Sequence, residues 1–306
     1  LTELIEFVLL DFADVPHLQW LLFGLFFVNY IIIVMSNGII LLITKLDPAL
    51  QTAMYFFLGN FSFLEICYVS VIRMLMNFRT QRRTISLVAC ATQMCCILVL
   101  GATECLLLTV MAYDRYVAIC NPLHYPLVMN HKVCIQLVAG SWISGIPVQI
   151  GQTFQIFSLP FCGSNLIDHF FCDIPLILML ACGETSVNEM MVYLVAVLIV
   201  TVPFLLILIS YGKIISTVLK LPSATSQARA FSTFSSHLMV VALFFGSAII
   251  TYLRPKTSHS AGIDKVLSLF YTIVTPLFNP LIYSLRNKEV IKALRKFLLR
   301  YLILPC

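Results

Sequence analysis

Long apolar stretches occupy most of the chain, and polar or turn-forming residues interrupt them at short intervals. A helix needs roughly 20 apolar residues to cross a hydrocarbon core of about 30 Å. Seven stretches reach that length, at residues 21–43, 52–76, 87–119, 133–156, 190–219, 228–252 and 264–283. Breaks such as Asp47-Pro48 and Asn121-Pro122 separate them. The pattern predicts an all-α membrane protein built as a bundle of seven transmembrane helices.

The period of the apolar positions continues beyond the seventh stretch, but basic residues now lie between them. The apolar positions are Val290, Ile291, Leu294, Phe297, Leu298 and Tyr301, and the basic ones are Lys288, Lys292, Arg295, Lys296 and Arg300. This spacing predicts a short amphipathic eighth helix on the membrane surface, where basic side chains meet anionic lipid. The alternative is a disordered basic tail. We expect one domain over residues 1–306, with an extracellular segment at 1–20, the helical bundle at 21–285, and a cytoplasmic amphipathic helix and tail at 286–306.

Composition and charge support a membrane protein and indicate its orientation. Hydrophobic residues make up 60% of the chain and charged residues only 11%, against about 25% charged in soluble domains. Lysine and arginine favour the side of the membrane that carries the C-terminal tail, as cytoplasmic loops do. Two groups dissent, Arg73 to Arg83 and Arg254 to Lys265. We therefore expect a multi-pass plasma-membrane protein with an extracellular N-terminus, a cytoplasmic C-terminus, lipid as a partner and no nucleic-acid partner.

Four cysteines fall where the chain should face an oxidising exterior. They are Cys90 near one end of the third helix, and Cys162, Cys172 and Cys182 in the loop before the fifth. Four cysteines permit three pairings, and the residues alone do not choose among them. His169 beside Cys172 could instead serve as a metal ligand. A structural histidine is the simpler interpretation, because a disulfide-bonded Cys172 cannot act as a thiolate.

The third helix ends in a specific motif, Met-Ala-Tyr-Asp-Arg-Tyr-Val-Ala-Ile-Cys at residues 111–120, followed by Asn-Pro-Leu-His-Tyr-Pro. This run resembles the signature of vertebrate odorant receptors, a branch of the rhodopsin-like G protein-coupled receptors, in their class II, tetrapod-type form. The resemblance extends over nearly the whole chain. It includes Met-Tyr-Phe-Phe-Leu at 54–58, Arg-Ala-Phe-Ser-Thr at 229–233 and Pro-Leu-Phe-Asn-Pro-Leu-Ile-Tyr at 276–283. Departures include Phe234 and Phe245, where the family usually has cysteine and tyrosine.

The resemblance implies a function and a set of residues that carry it. It selects the disulfides Cys90–Cys172 and Cys162–Cys182. It also implies coupling to a stimulatory, olfactory-type heterotrimeric G protein that raises cyclic AMP. An acid beside an arginine can hold the arginine by a charge-assisted bond until a partner competes for it. The switch and coupling residues would be Asp114, Arg115, Tyr116, Tyr211, His237, Asn279, Pro280 and Tyr283.

Glu65 and Glu104 are the acids that lie well inside the apolar stretches. A charge there costs at least roughly 2.5–3.5 kcal/mol, so both side chains should face the bundle interior. Two neutral, hydrogen-bonded carboxylic acids are one interpretation. A shared proton or a shared sodium ion is the other, and the resemblance supports it, since rhodopsin-like receptors hold sodium beside the acid of the second helix. We expect no other cofactor.

The ligand should bind among apolar side chains in the outer half of the bundle. Helical spacing and the resemblance together indicate Met94, Ile97, Leu98, Gly101, Ala102, Val195, Ile199, Phe245, Ala248, Ile249, Tyr252, Leu269 and Thr272. No acid stands on the face of the third helix where amine receptors keep a counter-ion. The pattern therefore favours a small, neutral, largely apolar volatile, oriented by Tyr252 or Thr272, with an affinity in about the micromolar range.

Three other functions fit the sequence less well. A secondary transporter would show internal repeats and helices interrupted by glycine, and an intramembrane enzyme would show a catalytic motif. The chain has neither feature, so we expect a receptor and not an enzyme. A rhodopsin-like receptor for another small lipophilic ligand remains the closest alternative, and the 111–120 run argues against it.

Overall fold

The computed structural model describes residues 6–9, 16–78, 84–162, 165–167, 172–220, 223–252, 275–286 and 288–299. The helices are α1 (Pro16–Leu46), α2 (Ala53–Phe78), α3 (Leu87–Cys120), α4 (Tyr125–Val128), α5 (His131–Phe157), α6 (Ile174–Leu180), α7 (Ser186–Ala196), α8 (Val202–Leu219), α9 (Ala224–Tyr252), α10 (Thr275–Arg286) and α11 (Lys288–Leu298). A 3₁₀ turn spans Pro48–Leu50. Three short strands, β1 (Glu6–Leu9), β2 (Thr84–Ser86) and β3 (Leu166–Ile167), complete the described elements.

The long helices agree with the predicted transmembrane stretches. Within the described residues, five segments are long and apolar enough to cross a bilayer: Gly24–Leu46, Ala53–Val71, Leu87–Cys120, His131–Phe157 and Ser186–Leu219. Helix α9 adds a shorter apolar segment, His237–Ile250, and α10 supplies the part of the seventh stretch that begins at Thr275. The first part of that stretch, residues 264–274, lies outside the described residues.

Side chains and prolines near the helix ends explain several boundaries. Ser86 caps α3 by accepting a hydrogen bond from the backbone N–H of Ala89 at 3.2 Å, and Asn130 caps α5 in the same way at 3.0 Å from Val133. Helix α1 begins at Pro16, inside the segment predicted to precede the bundle. Proline suits the first turn of a helix because the missing N–H would have no helical partner there.

The fifth transmembrane helix is continuous from α7 to α8 through one π-helical segment, Val197–Thr201. The N–H of Val202 bonds to the carbonyl of Val197, five residues back. Pro203 follows directly and cannot donate a backbone hydrogen bond. The wider turn shifts the helical phase, so α7 and α8 present their side chains with different registers to the rest of the bundle.

Helix α3 lies at the centre of the bundle and contacts α2, α5, α8 and α9. Its approach to α5 is especially close at Gly145. A Cβ atom added to Gly145 would lie 3.2 Å from the Cβ of Ala102. Small residues allow backbones to approach closely in membrane proteins, so Gly145 allows α5 to pack closely against α3 at the level of Ala102.

One end of the bundle, here called the disulfide end, is covered by an ordered lid. Strand β1 pairs antiparallel with β2 and parallel with β3. Phe7 of β1 is fully buried and packs edge-on against Phe161, with 5.6 Å between the ring centroids. Disulfides join Cys90 to Cys172 and Cys162 to Cys182. The lid therefore links the N-terminal segment, the start of α3 and the loop before α7.

The lid contains more regular structure than its sequence indicates. The loop before the fifth helix has no clear helical or strand period, yet it forms β3 and the short helix α6, whose first N–H is capped by Asp173 at 2.8 Å. Strand β3 is only Leu166–Ile167 and pairs with β1, which is far away in the chain. Such long-range pairing leaves no local pattern to detect.

The opposite end, here called the arginine end after Arg115, carries the predicted eighth helix. Helix α11 follows α10 and contacts both α1 and the 3₁₀ turn. Val290 and Ala293 are buried beneath it, and Lys292, Arg295 and Lys296 are exposed. The Lys296 Nζ lies 3.4 Å from Asp47 Oδ2. An ion pair therefore ties the eighth helix to the turn between α1 and α2.

Candidate functional site

A cavity of about 110 Å³ lies between α3, α5, the fifth transmembrane helix, α9 and α10. It lies on the disulfide side of the bundle's centre, since Ile174 of the lid helix α6 contributes to its wall. Its apolar wall consists of Ile97, Leu98, Gly101, Ala102, Cys105, Ile174, Val192, Val195, Ala196, Ile199, Val200, Phe244, Ala248 and Pro276. Branched and aromatic side chains of this kind hold a small apolar molecule by burying its surface.

Seven of the predicted ligand residues line this cavity. They are Ile97, Leu98, Gly101, Ala102, Val195, Ile199 and Ala248. Met94, Phe245 and Ile249 are described but do not line it. Leu269 and Thr272, together with the Tyr252 side chain, lie outside what the structure describes.

Two of the residues off the cavity wall pack elsewhere for clear reasons. Met94 is buried with Phe7 and Cys90 in the apolar cluster beneath the lid. Phe245 stacks on Phe204, with 5.3 Å between the ring centroids, and is fully buried between helices. Its neighbour Phe244 lines the cavity instead. One residue along a helix turns the side chain by about 100°, so a small error in the phase of α9 exchanges these two rings.

Gly101 leaves open space in the cavity wall. An added Cβ atom at Gly101 would have no atom within 4 Å among those the structure describes. Gly145 differs, because its added Cβ would meet Ala102. The two glycines therefore have different roles: Gly145 permits helix packing, and Gly101 leaves room beside the bundle interior.

The cavity wall is more polar than the sequence indicates. Tyr68, Glu104, Gln149, Gln152, Ser247 and Thr275 all contribute to it. Three of their buried atoms, Glu104 Oε1, Gln149 Oε1 and Thr275 Oγ1, have no hydrogen-bond partner among the described residues. Gln149 and Gln152 were not predicted as site residues, although two glutamines three positions apart in an apolar helix are a detectable signal.

The two buried acids lie at the edge of the cavity, where Glu104 contributes to the wall and Glu65 does not. Glu65 and Glu104 are almost completely buried and lie within electrostatic range of each other. The Asn279 amide donates a hydrogen bond to Glu65 Oε1. Several other oxygens here lack a partner among the described residues: Ser62 Oγ, Glu65 Oε2, Glu104 Oε1, Thr275 Oγ1 and Asn279 Oδ1. Carboxylate, hydroxyl and amide oxygens are the ligands that a hard cation prefers, so the chemistry of these residues fits a sodium ion.

A soft-metal site has no support in the described part of the chain, where no group of three or more His, Cys, Asp or Glu side chains converges. Cys172 is bonded to Cys90. His169 lies outside the described residues.

At the arginine end, Asp114 makes two strong contacts. Arg115 Nη2 donates to Asp114 Oδ2 at 2.7 Å, and the Tyr125 hydroxyl donates to Asp114 Oδ1 at 2.8 Å. Burial, together with the Asp114 charge, raises the pKa of Tyr125 above its usual range, which keeps the hydroxyl available as a donor. The sequence predicted the pair of Asp114 and Arg115 but not the contribution of Tyr125 from α4.

Three of the other predicted switch residues, Tyr116, Tyr211 and His237, lie near this pair. The Tyr211 hydroxyl of α8 and His237 Nδ1 of α9 form a hydrogen bond, and both residues are buried within electrostatic range of Arg115. The Lys213 ammonium lies 5.7 Å from the centroid of the Tyr116 ring. Asn279 and Pro280 are buried in α10. The Tyr283 side chain lies outside what the structure describes.

Comparison with known proteins gives a consistent result over almost the whole chain. The sequence model of the family described as "Olfactory receptor" matches residues 26–301. Human Olfactory receptor 10AG1 is 65% identical over 299 residues, covering 97% of this chain and 99% of that protein. Human Olfactory receptor 10A7 is 48% identical over 297 residues, covering 96% and 94%, and human Olfactory receptor 10C1 is 50% identical over 293 residues, covering 95% and 94%.

Proposed function

The chain belongs to the olfactory receptor family, and from that premise we propose that its cavity is the odorant site and that the contacts around Arg115 form the G protein switch. As a member of this family it is a seven-helix membrane receptor that binds odorants and couples to G proteins, and it is not an enzyme. The prediction of a seven-helix odorant receptor is therefore confirmed. The residues that carry each step, the G protein subtype and the orientation are proposals.

The cavity is the observation that carries the odorant-site proposal. It brings seven predicted ligand residues from α3, the fifth transmembrane helix and α9 together around one space. Its volume of about 110 Å³ suits a small molecule rather than a peptide. Tyr252, Leu269 and Thr272 remain proposed contacts, while Met94, Phe245 and Ile249 would act by supporting the wall.

Arg115 is the proposed coupling residue at the opposite end. Its bond to Asp114, and the bond from Tyr125 to the same carboxylate, hold the guanidinium inside the bundle. Outward movement of α9 would separate His237 from Tyr211 and open the space beside Arg115. The released guanidinium would then contact a stimulatory, olfactory-type G protein. Tyr116, Asn279, Pro280 and Tyr283 would rearrange around it, as the family resemblance implies.

A sodium ion bound by Glu65 and Glu104 is our proposal for the buried acids. Two buried charged carboxylates within electrostatic range of each other require a counter-charge or a proton, and the unpaired oxygens of Ser62, Thr275 and Asn279 would supply neutral ligands. Replacing sodium by choline in the assay buffer should shift the odorant dose response of the wild type and leave Glu104→Gln unaffected. A wild-type response independent of sodium would favour the shared proton instead.

The proposed orientation places the disulfide end outside the cell and the arginine end in the cytoplasm, in the plasma membrane. Disulfides form in oxidising compartments, which supports an extracellular lid and N-terminus. Basic Lys292, Arg295 and Lys296 of α11 would then face anionic lipid of the inner leaflet. An epitope tag at the N-terminus should be stained on intact cells, and one at the C-terminus only after permeabilisation.

A screen of chemically diverse small volatiles tests the proposed function. Cells that express the receptor should respond to some of them with a rise in cyclic AMP, and neither untransfected cells nor cells expressing Arg115→Ala should do so. A rise in calcium without cyclic AMP would contradict the stimulatory G protein while leaving the odorant site in place. Silence across the screen at normal surface expression would overturn the odorant proposal for this cavity.

A further inference from the structure

Helix α5 presents two glutamines to the cavity from a wall that is otherwise apolar. Gln149 and Gln152 are three residues apart, so they lie on the same face of the helix. Both are buried, with 3% and 6% of their surfaces exposed. Burying an amide without a partner is unfavourable, and a position facing lipid would be worse. The placement of Gln149 on the cavity wall therefore points to a ligand group that satisfies it.

The side-chain oxygen of Gln149 is a buried acceptor whose hydrogen bond is not made. Its Oε1 atom is shielded from solvent and has no hydrogen-bond partner among the described residues. Such an oxygen can only accept a hydrogen bond. Glu104 Oε1 and Thr275 Oγ1, elsewhere on the same wall, also have no partner in the described part of the chain, but a protonated carboxyl and a threonine hydroxyl can donate as well as accept. Among these three wall atoms, the Gln149 oxygen is therefore the one that only a donor can satisfy.

The helix register separates the oxygens of Gln149 and Glu104. Gly145 of α5 lies level with Ala102 of α3, where an added Cβ would come within 3.2 Å. Gln149 is one turn farther toward the disulfide end, and Glu104 is two residues farther toward the arginine end. One small polar group therefore reaches one of them and not both. Glu104 also belongs to the buried acid cluster, which leaves Gln149 as the group that addresses the ligand.

We propose that Gln149 is a specificity-determining residue that accepts a hydrogen bond from the hydroxyl group of the odorant. The ligand class is a small alcohol or phenol whose hydrocarbon part packs on Ile97, Val195, Ile199 and Phe244. Among neutral volatile groups the hydroxyl is the common donor, while ketones, esters and ethers offer acceptors alone. A ligand that cannot donate leaves the Gln149 oxygen buried and unpaired, and a site built for a hydroxyl discriminates strongly against such a ligand.

This inference rests on the proposed odorant site and has a separate test. The probes are linear alcohols of five to ten carbons, cyclohexanol and phenol, each paired with its methyl ether and with the ketone or aldehyde of the same skeleton. Cyclic AMP and surface expression are measured together. The wild type should respond to at least one alcohol at about a tenfold lower concentration than to its matched ether or carbonyl compound.

Gln149→Leu should remove this preference and leave the response to the ether near its wild-type level. Gln149→Met, which keeps the length of the side chain, gives a second variant if the first reaches the surface poorly. Gln136→Leu is the matched control, because Gln136 lies on the same helix but is exposed and away from the cavity. It should leave the alcohol preference unchanged.

The outcomes separate the two proposals. An alcohol preference that survives in both Gln149 variants overturns the role of Gln149. A wild-type preference for the carbonyl compounds overturns the hydroxyl class, and would mean that the amide presents its NH₂ to the ligand. If no member of the panel and no volatile of the wider screen raises cyclic AMP, the proposed odorant site itself fails.

Discussion

The two ends of the bundle treat their buried polar groups in opposite ways. Around the cavity, Glu104, Gln149 and Thr275 each keep an atom without a partner among the described residues. At the arginine end, Asp114 is bonded to both Arg115 and Tyr125, and Tyr211 is bonded to His237. A polar atom without a partner in the cavity can form its hydrogen bond with a ligand that enters the cavity. A hydrogen bond made within the chain breaks only when a binding partner competes for one of its two groups.

This difference indicates how signal transfer can be divided between the ends. In the proposed function, binding at the cavity would stabilise one arrangement of helices by adding contacts, and the arginine end would change state only when internal contacts are exchanged for contacts with a partner. The helices α3 and α9 run through both regions. The coupling between the sites then depends on how ligand-favoured positions of these two helices weaken the bonds around Arg115.

Arg115→Ala should produce the largest effect, since it removes the group that we propose contacts the G protein. We expect odorant-driven cyclic AMP to be abolished at unchanged surface expression. Cyclic AMP assay and surface labelling of the same cells measure both quantities. Lys132→Ala is the control, because Lys132 is a basic residue at the same end of the bundle, at the start of α5, and its side chain is exposed. A full response from Arg115→Ala would show that Arg115 is not needed for coupling to the G protein.

Loss of the Cys90–Cys172 disulfide should have the next largest effect, because this bond joins the lid covalently to α3. Removing a native disulfide typically costs about 2–5 kcal/mol. Cys90→Ser and Cys172→Ser should therefore each reduce surface delivery to a similar degree, and the double variant should lose little more than either one. Cys95→Ser, a free cysteine one turn along α3, serves as the control. Additive losses in surface staining would contradict a shared bond.

Gly101 and Gly145 allow a test of two different roles for glycine near the cavity, one beside open space and one at a helix contact. Gly101→Leu fills open space, so surface expression should stay near normal while the odorant response weakens by about tenfold or more. Gly145→Leu drives a side chain into Ala102, so expression should fall before any ligand is added. Dose response and surface level, measured together, decide between the two roles. Poor expression of Gly101→Leu, or its unchanged response at normal expression, would remove Gly101 from the site.

The smallest effect is expected at the eighth helix. The N–H of Ala49, followed by Lys296, lowers the pKa of Asp47 below its ordinary value. A carboxyl with a lowered pKa contributes its stabilisation above the ordinary pKa and loses it only as the pH falls through the lower value. The contribution should therefore be constant between about pH 6 and 8.

Thermal unfolding of purified receptor tests this ion pair. Asp47→Asn and Lys296→Ala should each give a small decrease in melting temperature that shrinks at high salt. The double variant should decrease it no further than the stronger single one. Arg295→Ala removes the same charge from the same helix and is the control. A decrease that changes between pH 6 and 8 would point to a different titrating group.

Much of the fold was predictable because the bilayer imposes a local rule. A helix must be long and apolar to cross it, so each predicted transmembrane stretch follows from a window of about 20 residues. The lid was not predictable, since β1 and β3 pair across more than 150 residues and have no local period. The π-helical segment at Val197–Thr201 also lacks a recognisable local sequence pattern, because it depends on Pro203 and on packing along the helix.

Some residues of the candidate site could likewise be predicted from the sequence, and others could not. Ile97, Leu98, Gly101 and Ala102 were predicted because sequence spacing places them on one face of α3 and the family resemblance assigns that face to the ligand. Phe244 was missed in favour of Phe245 because the rotation of α9 about its axis is set by its neighbours. Tyr125 was missed as a donor to Asp114 because the bond joins two elements whose relative position no local pattern states.

By itself, the sequence determined that this chain spans a membrane, that it belongs among the odorant receptors, and that an acid and an arginine lie together at one end of the third helix. Length, apolarity and contiguous motifs are properties of short windows, so they survive without the fold. The tertiary structure alone decided which polar groups go unpaired. Gln149 and Gln152 are two polar residues in an apolar helix until packing turns them toward a cavity and away from lipid. Whether a buried group has a partner is a property of the residues around it, and only the assembled bundle brings those residues together.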